Sequence, residues 1–193
     1  MQKYTEQLYH NSNQGWIEVI TGSMFSGKTE ELLRRIKRAQ LANLRIGMFK
    51  PKMDVRFSKN DVVSHDNNFT HSVAIEHPEE ILKFKDKCQV IGIDEVQFFS
   101  EEIVNVCTQL ANEGKRVIIA GLDMDFEGVP FEPIPKLMAV SEFVTKLHAI
   151  CVKCGKLAQY SHRMDAAKDK IVLGEKDKYE ALCRSCYNQT LNQ

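Results

Sequence analysis

Short unbroken apolar runs alternate with longer segments whose apolar positions recur every three or four residues. "GWIEVITG", "RIGMFKP", "QVIGIDE" and "KRVIIAGLD" are of the first kind and read as buried strands. After the first of them, Leu32, Leu33, Ile36 and Ala39 repeat at helical spacing. Arg34, Arg35, Lys37 and Arg38 lie between them, a basic face most simply read as solvated. A second helix is predicted from Ile103, Val106, Cys107 and Leu110, closed by Gly114. Strands that alternate with helices at this interval predict an α/β fold, a mostly parallel sheet flanked by helices. The stretch from Lys52 to about Asp66 is polar without a period and reads as a loop. Near Cys151 the pattern gives way to Cys-x-x-Cys, polar residues and glycine. The expected organisation is a polar arm over 1–14, a main domain over 15–150, a small cysteine-bearing unit over 151–187 and a tail over 188–193. No internal repeat or low-complexity tract interrupts this order.

Composition narrows the partners. With 193 residues and 43% hydrophobic content, the chain can bury one sizeable core and carry one small appendage. Lysine plus arginine equals aspartate plus glutamate at 26 each, so no global field gathers nucleic acid or holds an anionic membrane. A small-molecule partner is expected, with neither nucleic acid nor membrane. The N-terminal residues lack the apolar core of a signal peptide, and no stretch approaches ~18 consecutive apolar residues. A cytoplasmic location is the expectation, and in that reducing setting clustered cysteines more often bind metal or react than form disulfides.

Three groups of residues carry candidate chemistry. Residues 22–29, "GSMFSGKT", fit G-x-x-x-x-G-K-[ST] between a strand and a helix, the context of a phosphate cradle. Gly22 and Gly27 would let backbone N–H groups of Ser23, Met24, Phe25 and Ser26 turn toward phosphates, backed by the positive end of the helix. Lys28 would reach the β and γ phosphates and the Thr29 hydroxyl would ligate Mg2+. A glycine-rich turn with an incidental lysine and threonine is the other reading. At the end of "VIGIDE", Asp94 is placed to anchor Mg2+. Glu95 is placed to accept a proton or orient a water; alternatively it balances the dipole of a helix beginning near Ser100. Third, Cys151 with Cys154 and Cys183 with Cys186 form two Cys-x-x-Cys pairs, the spacing of a four-thiolate structural zinc site, with a redox role as the rival. Such a closed site would clamp residues 155–182 without touching phosphates directly. Cys88 and Cys107 read as ordinary buried thiols.

From residues alone this is a Mg2+ and ATP-dependent phosphoryl transferase with a zinc appendage and no particular acceptor. Phe98, Phe126 and Phe131 near a phosphate site suggest a flat acceptor, although such side chains also serve as ordinary core. An ATP-driven nucleic-acid motor and a regulatory nucleotide-binding module use the same parts.

"GSMFSGKTEELLRRIKRAQ", "VIGIDEVQFF", "LDMDF" followed by "PF", and "CVKC" with "DKYEALCRSCY" together resemble the cellular and bacterial type of thymidine kinase, the zinc-containing family. The likeness runs from about Gly15 to Tyr187. It implies a P-loop, RecA-like sheet with a C-terminal zinc-binding lasso, and transfer of the γ-phosphoryl of ATP to the 5′-hydroxyl of thymidine. Carried over by position, Glu95 matches the catalytic base, with Lys28 and Arg56 beside it in the reaction. Asp94, Glu95, Val96 and Gln97 match the second nucleotide-contacting segment. Met24, Phe98, Leu122, Phe126 and Phe131 fall where the family lines an apolar slot for thymine. Tyr179 matches a nucleoside-contacting tyrosine, and Lys170, Ile171, Val172, Leu173 and Gly174 match the lasso whose backbone bonds the base. Asp54 and Arg56 match a charged pair on a loop over the site. This chain departs from the usual pattern at Glu127 and Glu132, which bear on the route of the loop around Phe126. The resemblance also implies a homotetramer inhibited by thymidine triphosphate (dTTP).

Overall fold

A computed structural model describes residues 14–52, 72–164 and 178–191. Six strands form one sheet: β1 (Trp16–Gly22), β2 (Ile46–Pro51), β3 (Ser72–Ile75), β4 (Val90–Ile93), β5 (Arg116–Gly121) and β6 (Phe143–Leu147). Their spatial order is β3-β2-β4-β5-β1-β6, and every pairing is parallel. The four apolar runs are β1, β2, β4 and β5, and the residues of β1, β4 and β5 are buried throughout because helices cover both faces. β3 and β6 are the two edges and were not anticipated.

Helix α1 (Lys28–Leu41) covers one face, setting Leu32, Ile36 and Ala39 against Ile20, Met48, Val90, Ile118 and Ala120. Helices α2 (Glu102–Asn112) and α3 (Ile134–Val140) cover the other, where Ile103, Val106, Cys107 and Leu110 meet Val19, Ile91, Ile93, Val117 and Ile119. Each such Ile or Leu contributes about 1.5–3 kcal/mol by burial. Cys88 and Cys107 are buried as expected.

One expectation for α1 is corrected. Arg35 is buried rather than solvated. Its guanidinium lies 2.8 Å from Glu18 in the middle of β1, and Glu18 also accepts from Arg116 at 2.6 Å and from the Trp16 indole at 2.8 Å. Burial alone would raise the Glu18 carboxyl, but hydrogen bonding and charge from Arg116, together with Trp16 and Arg35, hold it below the usual carboxylate range. A carboxylate inside a strand demands these cations, because an unpaired buried charge is costly.

Beyond β6 the chain builds a small unit from two hairpins, β7 (Ala149–Ile150) with β8 (Leu157–Ala158) and β9 (Tyr160–Arg163) with β10 (Tyr179–Leu182), then helix α4 (Arg184–Thr190). Ala158, Tyr160, Ala181, Leu182 and Tyr187 form its own apolar cluster. No helix among the described residues is long and apolar enough to cross a membrane. The loops after β1 and β5, at carboxyl ends of the sheet where ligands of open α/β folds bind, both contact this unit, through Met24 with Ser161 and Phe126 with Tyr187.

Candidate active site

The segment after β1 turns sharply into α1. Gly22 takes a φ of +146°, and a Cβ there would lie 2.2 Å from the Leu147 carbonyl oxygen, so only glycine permits β6 to approach so closely. Gly27 caps α1 in the left-handed region at φ +82°. Phe25 is also left-handed, at φ 63°, a strained choice for an aromatic residue and one that accumulates at functional loops. Lys28 folds back over the loop and donates to the Ser23 carbonyl at 2.8 Å. Burial pushes its ammonium below the ordinary lysine range, against the attraction of Glu95, Asp94 and Asp123.

β4 delivers the acids opposite this loop. Asp94 accepts from the Thr29 hydroxyl at 3.0 Å and from the Glu95 backbone N–H at 2.9 Å. Its carboxyl is pushed up to about 6, first by burial and then by the Glu95 charge. A hydroxyl and a carboxylate in contact form the oxygen-only donor set that suits Mg2+, and a cation would relieve the repulsion between the two acids. Glu95 itself sits in the left-handed region at φ 50° and opens a 3-10 turn over Val96–Phe98, with Val96 buried. It therefore precedes a single turn, not α2, which begins at Glu102.

Gln97 does something the sequence did not disclose. Its amide oxygen accepts from the Leu122 backbone N–H at 3.0 Å, while its amide nitrogen donates to Glu95 Oε2 at 2.5 Å. Because a backbone N–H can only donate, the amide orientation is fixed, and Glu95 is held as an acceptor. One side chain thus joins the acid after β4 to the loop after β5.

That loop carries the aromatic candidates. Asp125 accepts from the backbone N–H groups of Glu127 and Val129, both at 3.0 Å, and Phe131 N–H returns to the Asp123 carbonyl. The loop is therefore a tight turn through Gly128, with Glu127 and Glu132 exposed, and the two departures leave its route well defined. Phe98 and Phe131 meet edge to face at 6.4 Å between centroids. Phe126 meets the zinc-side unit, with the Arg163 guanidinium 3.7 Å from its ring centre and its carbonyl accepting from the Tyr187 hydroxyl at 2.9 Å. Tyr179 is buried in β10, opposite Arg163.

The four sulfurs of Cys151, Cys154, Cys183 and Cys186 lie within 4.8 Å of one another. Cys154 and Cys183 sulfurs are 3.6 Å apart, close to the ~3.8 Å edge of a tetrahedron with Zn–S bonds of about 2.3 Å. The Cys186 backbone N–H points at the Cys183 sulfur at 3.5 Å, as in a metal-binding knuckle. The cluster fits a structural zinc. The unit it holds also touches the phosphate loop: Ser161 in β9 accepts from the Met24 backbone N–H at 2.9 Å, and the Ser23 hydroxyl reaches the Ala158 carbonyl at 3.5 Å. Neither contact was anticipated, since nothing in the spacing of Ser161 marks it. Asp54, Arg56 and the stretch from Lys170 to Gly174 lie outside the described residues.

The family model for thymidine kinase matches residues 15–187. The chain belongs to the thymidine kinase family. Relatives named thymidine kinase include one from Rhodothermus sp. (strain ITI 518), 56% identical over 93% of this chain and 84% of its own length. Another, from Bacteroides fragilis (strain YCH46), is 54% identical over 97% of this chain and 94% of its own. Thymidine kinase family membership accords with the order of the motifs at Gly22–Thr29, Asp94–Glu95 and the paired cysteines. Among solved structures, domain III of the Thermotoga maritima replication initiation protein DnaA aligns at a TM-score of 0.45 and 18% identity, covering 74% of this chain and 58% of that one. A likeness that loose says nothing about the thymidine kinase site.

Proposed function

We propose that this chain transfers the γ-phosphoryl of ATP to the 5′-hydroxyl of thymidine, giving thymidine monophosphate and ADP. The observation that supports it best, beside family membership, is the chain of hydrogen bonds from Thr29 through Asp94, Glu95 and Gln97 to Leu122, which links the candidate phosphate loop to the loop that carries the aromatic candidates. The backbone N–H groups after Gly22 cradle the phosphates and Lys28 leaves the Ser23 carbonyl to pair with the β and γ groups. Thr29 and Asp94 would hold Mg2+, which when bound would neutralise charge that builds on the phosphates. Glu95 accepts the 5′-hydroxyl proton as that oxygen bonds to the γ phosphorus and the bond to the ADP oxygen breaks. Met24, Phe98, Leu122, Phe126 and Phe131 line the thymine site, with Tyr179 and residues 170–174 closing it from the zinc-held unit and Asp54 and Arg56 from the loop above. Family likeness further supports a cytoplasmic homotetramer restrained by dTTP.

Measuring ADP release with each common deoxynucleoside tests this reading. Release that rises with thymidine supports it; release that rises only with DNA or RNA would identify a nucleic-acid motor instead, and release indifferent to all acceptors would leave a binding module.

Zinc joins the two halves of the site. Cys183→Ser is expected to lose about one zinc ion per chain and to raise the KM for thymidine steeply. Because Ser161 holds the Met24 N–H, binding of a non-hydrolysable ATP analogue should weaken too, but by less, in keeping with the ~1–3 kcal/mol of one buried N–H left unsatisfied. Zinc loss with an unchanged thymidine KM would remove the zinc-held unit from the acceptor site.

A further inference from the structure

Asp123 lies two residues beyond the end of β5, buried at 7% exposure, yet neither carboxylate oxygen has a hydrogen-bond partner among the described residues. Lys146 of β6 brings its ammonium to 2.8 Å from Oδ2, a charge contact that lies off the direction of a hydrogen bond. The pairing of the sheet makes this contact unusual. β5 and β6 are not neighbours, since β1 runs between them, so their backbones stand roughly 10 Å apart at about 4.8 Å per strand. Thr21 is the common partner, registered with Gly121 on one side and Lys146 on the other. An ion pair from Lys146 to Asp123 therefore crosses β1 where it becomes the phosphate loop. Asp123 is also one of the acids whose charge attracts the Lys28 ammonium, after Glu95 and Asp94. The catalytic reading uses those two acids and leaves Asp123 unused.

We propose that the Asp123–Lys146 pair is a strap across the root of the phosphate loop, and that Asp123 is a positioning residue for the phosphates of ATP. This rests on the reading of residues 22–29 as the ATP site. The strap holds Thr21 and Gly22 in line with β5 and β6, so that the loop's N–H groups meet the phosphates already oriented. The Asp123 carboxylate adds its negative charge to that of Glu95 and Asp94 in attracting the Lys28 ammonium.

The strap acts on ATP and not on the acceptor, and binding measurements separate the two. Asp123→Asn keeps the shape and removes the charge; Lys146→Met removes the partner from a half-exposed position and tolerates folding better. Titration calorimetry with a non-hydrolysable ATP analogue and Mg2+ should show each variant binding on the order of 10-fold more weakly, with thymidine affinity within about two-fold of the parent. The double variant should bind no more weakly than Asp123→Asn alone, and Lys146→Arg should restore most of the affinity. Unchanged analogue binding in Asp123→Asn overturns the proposal. So do additive losses in the double variant, or equal losses for analogue and thymidine with a lowered melting temperature, which would mean a merely structural pair. Lys28→Ala is the control: if it too binds the analogue normally, the ATP site itself is misassigned, whereas loss there with normal binding in Asp123→Asn sinks the strap alone.

Discussion

Glu95→Gln should lower kcat by at least ~10²-fold while leaving the affinities for ATP and thymidine within a few-fold of the parent. The substitution changes one atom and keeps the volume, so the left-handed backbone at Glu95 and the turn over Val96–Phe98 persist. What is lost is a group able to take the hydroxyl proton. A second effect points the same way: the Gln97 amide nitrogen that now donates to Glu95 would face either the oxygen or the nitrogen of the new amide, and only the oxygen can accept. The variant is thereby locked with its own NH2 toward the acceptor, a donor where an acceptor is required. Single-turnover measurement of thymidine monophosphate formation reads the chemical step without product release. A variant with near-normal rate would take Glu95 out of proton transfer and leave positioning alone to account for catalysis.

Lys28→Ala should reduce phosphoryl transfer by on the order of 10³-fold, with weaker binding of the ATP analogue contributing part of the loss. Burial already strips the ammonium of much of its water, so little reorganisation separates it from the phosphates. Removal has a further consequence in the resting protein. The Asp94 carboxyl is raised first by burial and then by the Glu95 charge, and the Lys28 ammonium attracts both acids. Thermal unfolding of Lys28→Ala should therefore respond more strongly to added Mg2+ than that of the parent. Full activity would reduce the loop to the incidental glycine turn.

The helices and inner strands were legible because burial on two sides forces a recognisable run of apolar residues, and because α2 repeats its apolar positions without exception. Arg35 defeated the same reasoning. Its place among Arg34, Lys37 and Arg38 looks solvated until Glu18, seventeen positions earlier, is known to face inward. The edge strand β6 alternates half-buried Phe143, Thr145 and Leu147 with exposed Val144 and Lys146, a period-two signal too short to stand out beside the cysteines. At the site, the phosphate loop, Asp94, Glu95 and the four cysteines declare themselves through spacing that chemistry requires. Gln97, Asp123, Lys146, Ser161 and Tyr187 do not, because each works through a partner brought from elsewhere in the chain: 25 residues away for Leu122 and Gln97, 137 for Ser161 and Met24. Long-range contacts of this kind leave no local trace.

The position of β1 between β5 and β6 also sets a timetable for synthesis. Residues 16–22 leave the ribosome before their sheet neighbours, residues 116–121 and 143–147. Until those emerge, the glycine loop has no flanking strands to hold it open, and closing so long a loop costs entropy before any pairing offsets it. The nascent chain should thus be unable to retain ATP until residue 147 has emerged, and acquire that ability abruptly as β6 docks. Stalled nascent chains of increasing length, probed with a photoreactive ATP analogue, would show labelling switch on only once residue 147 has cleared the exit tunnel.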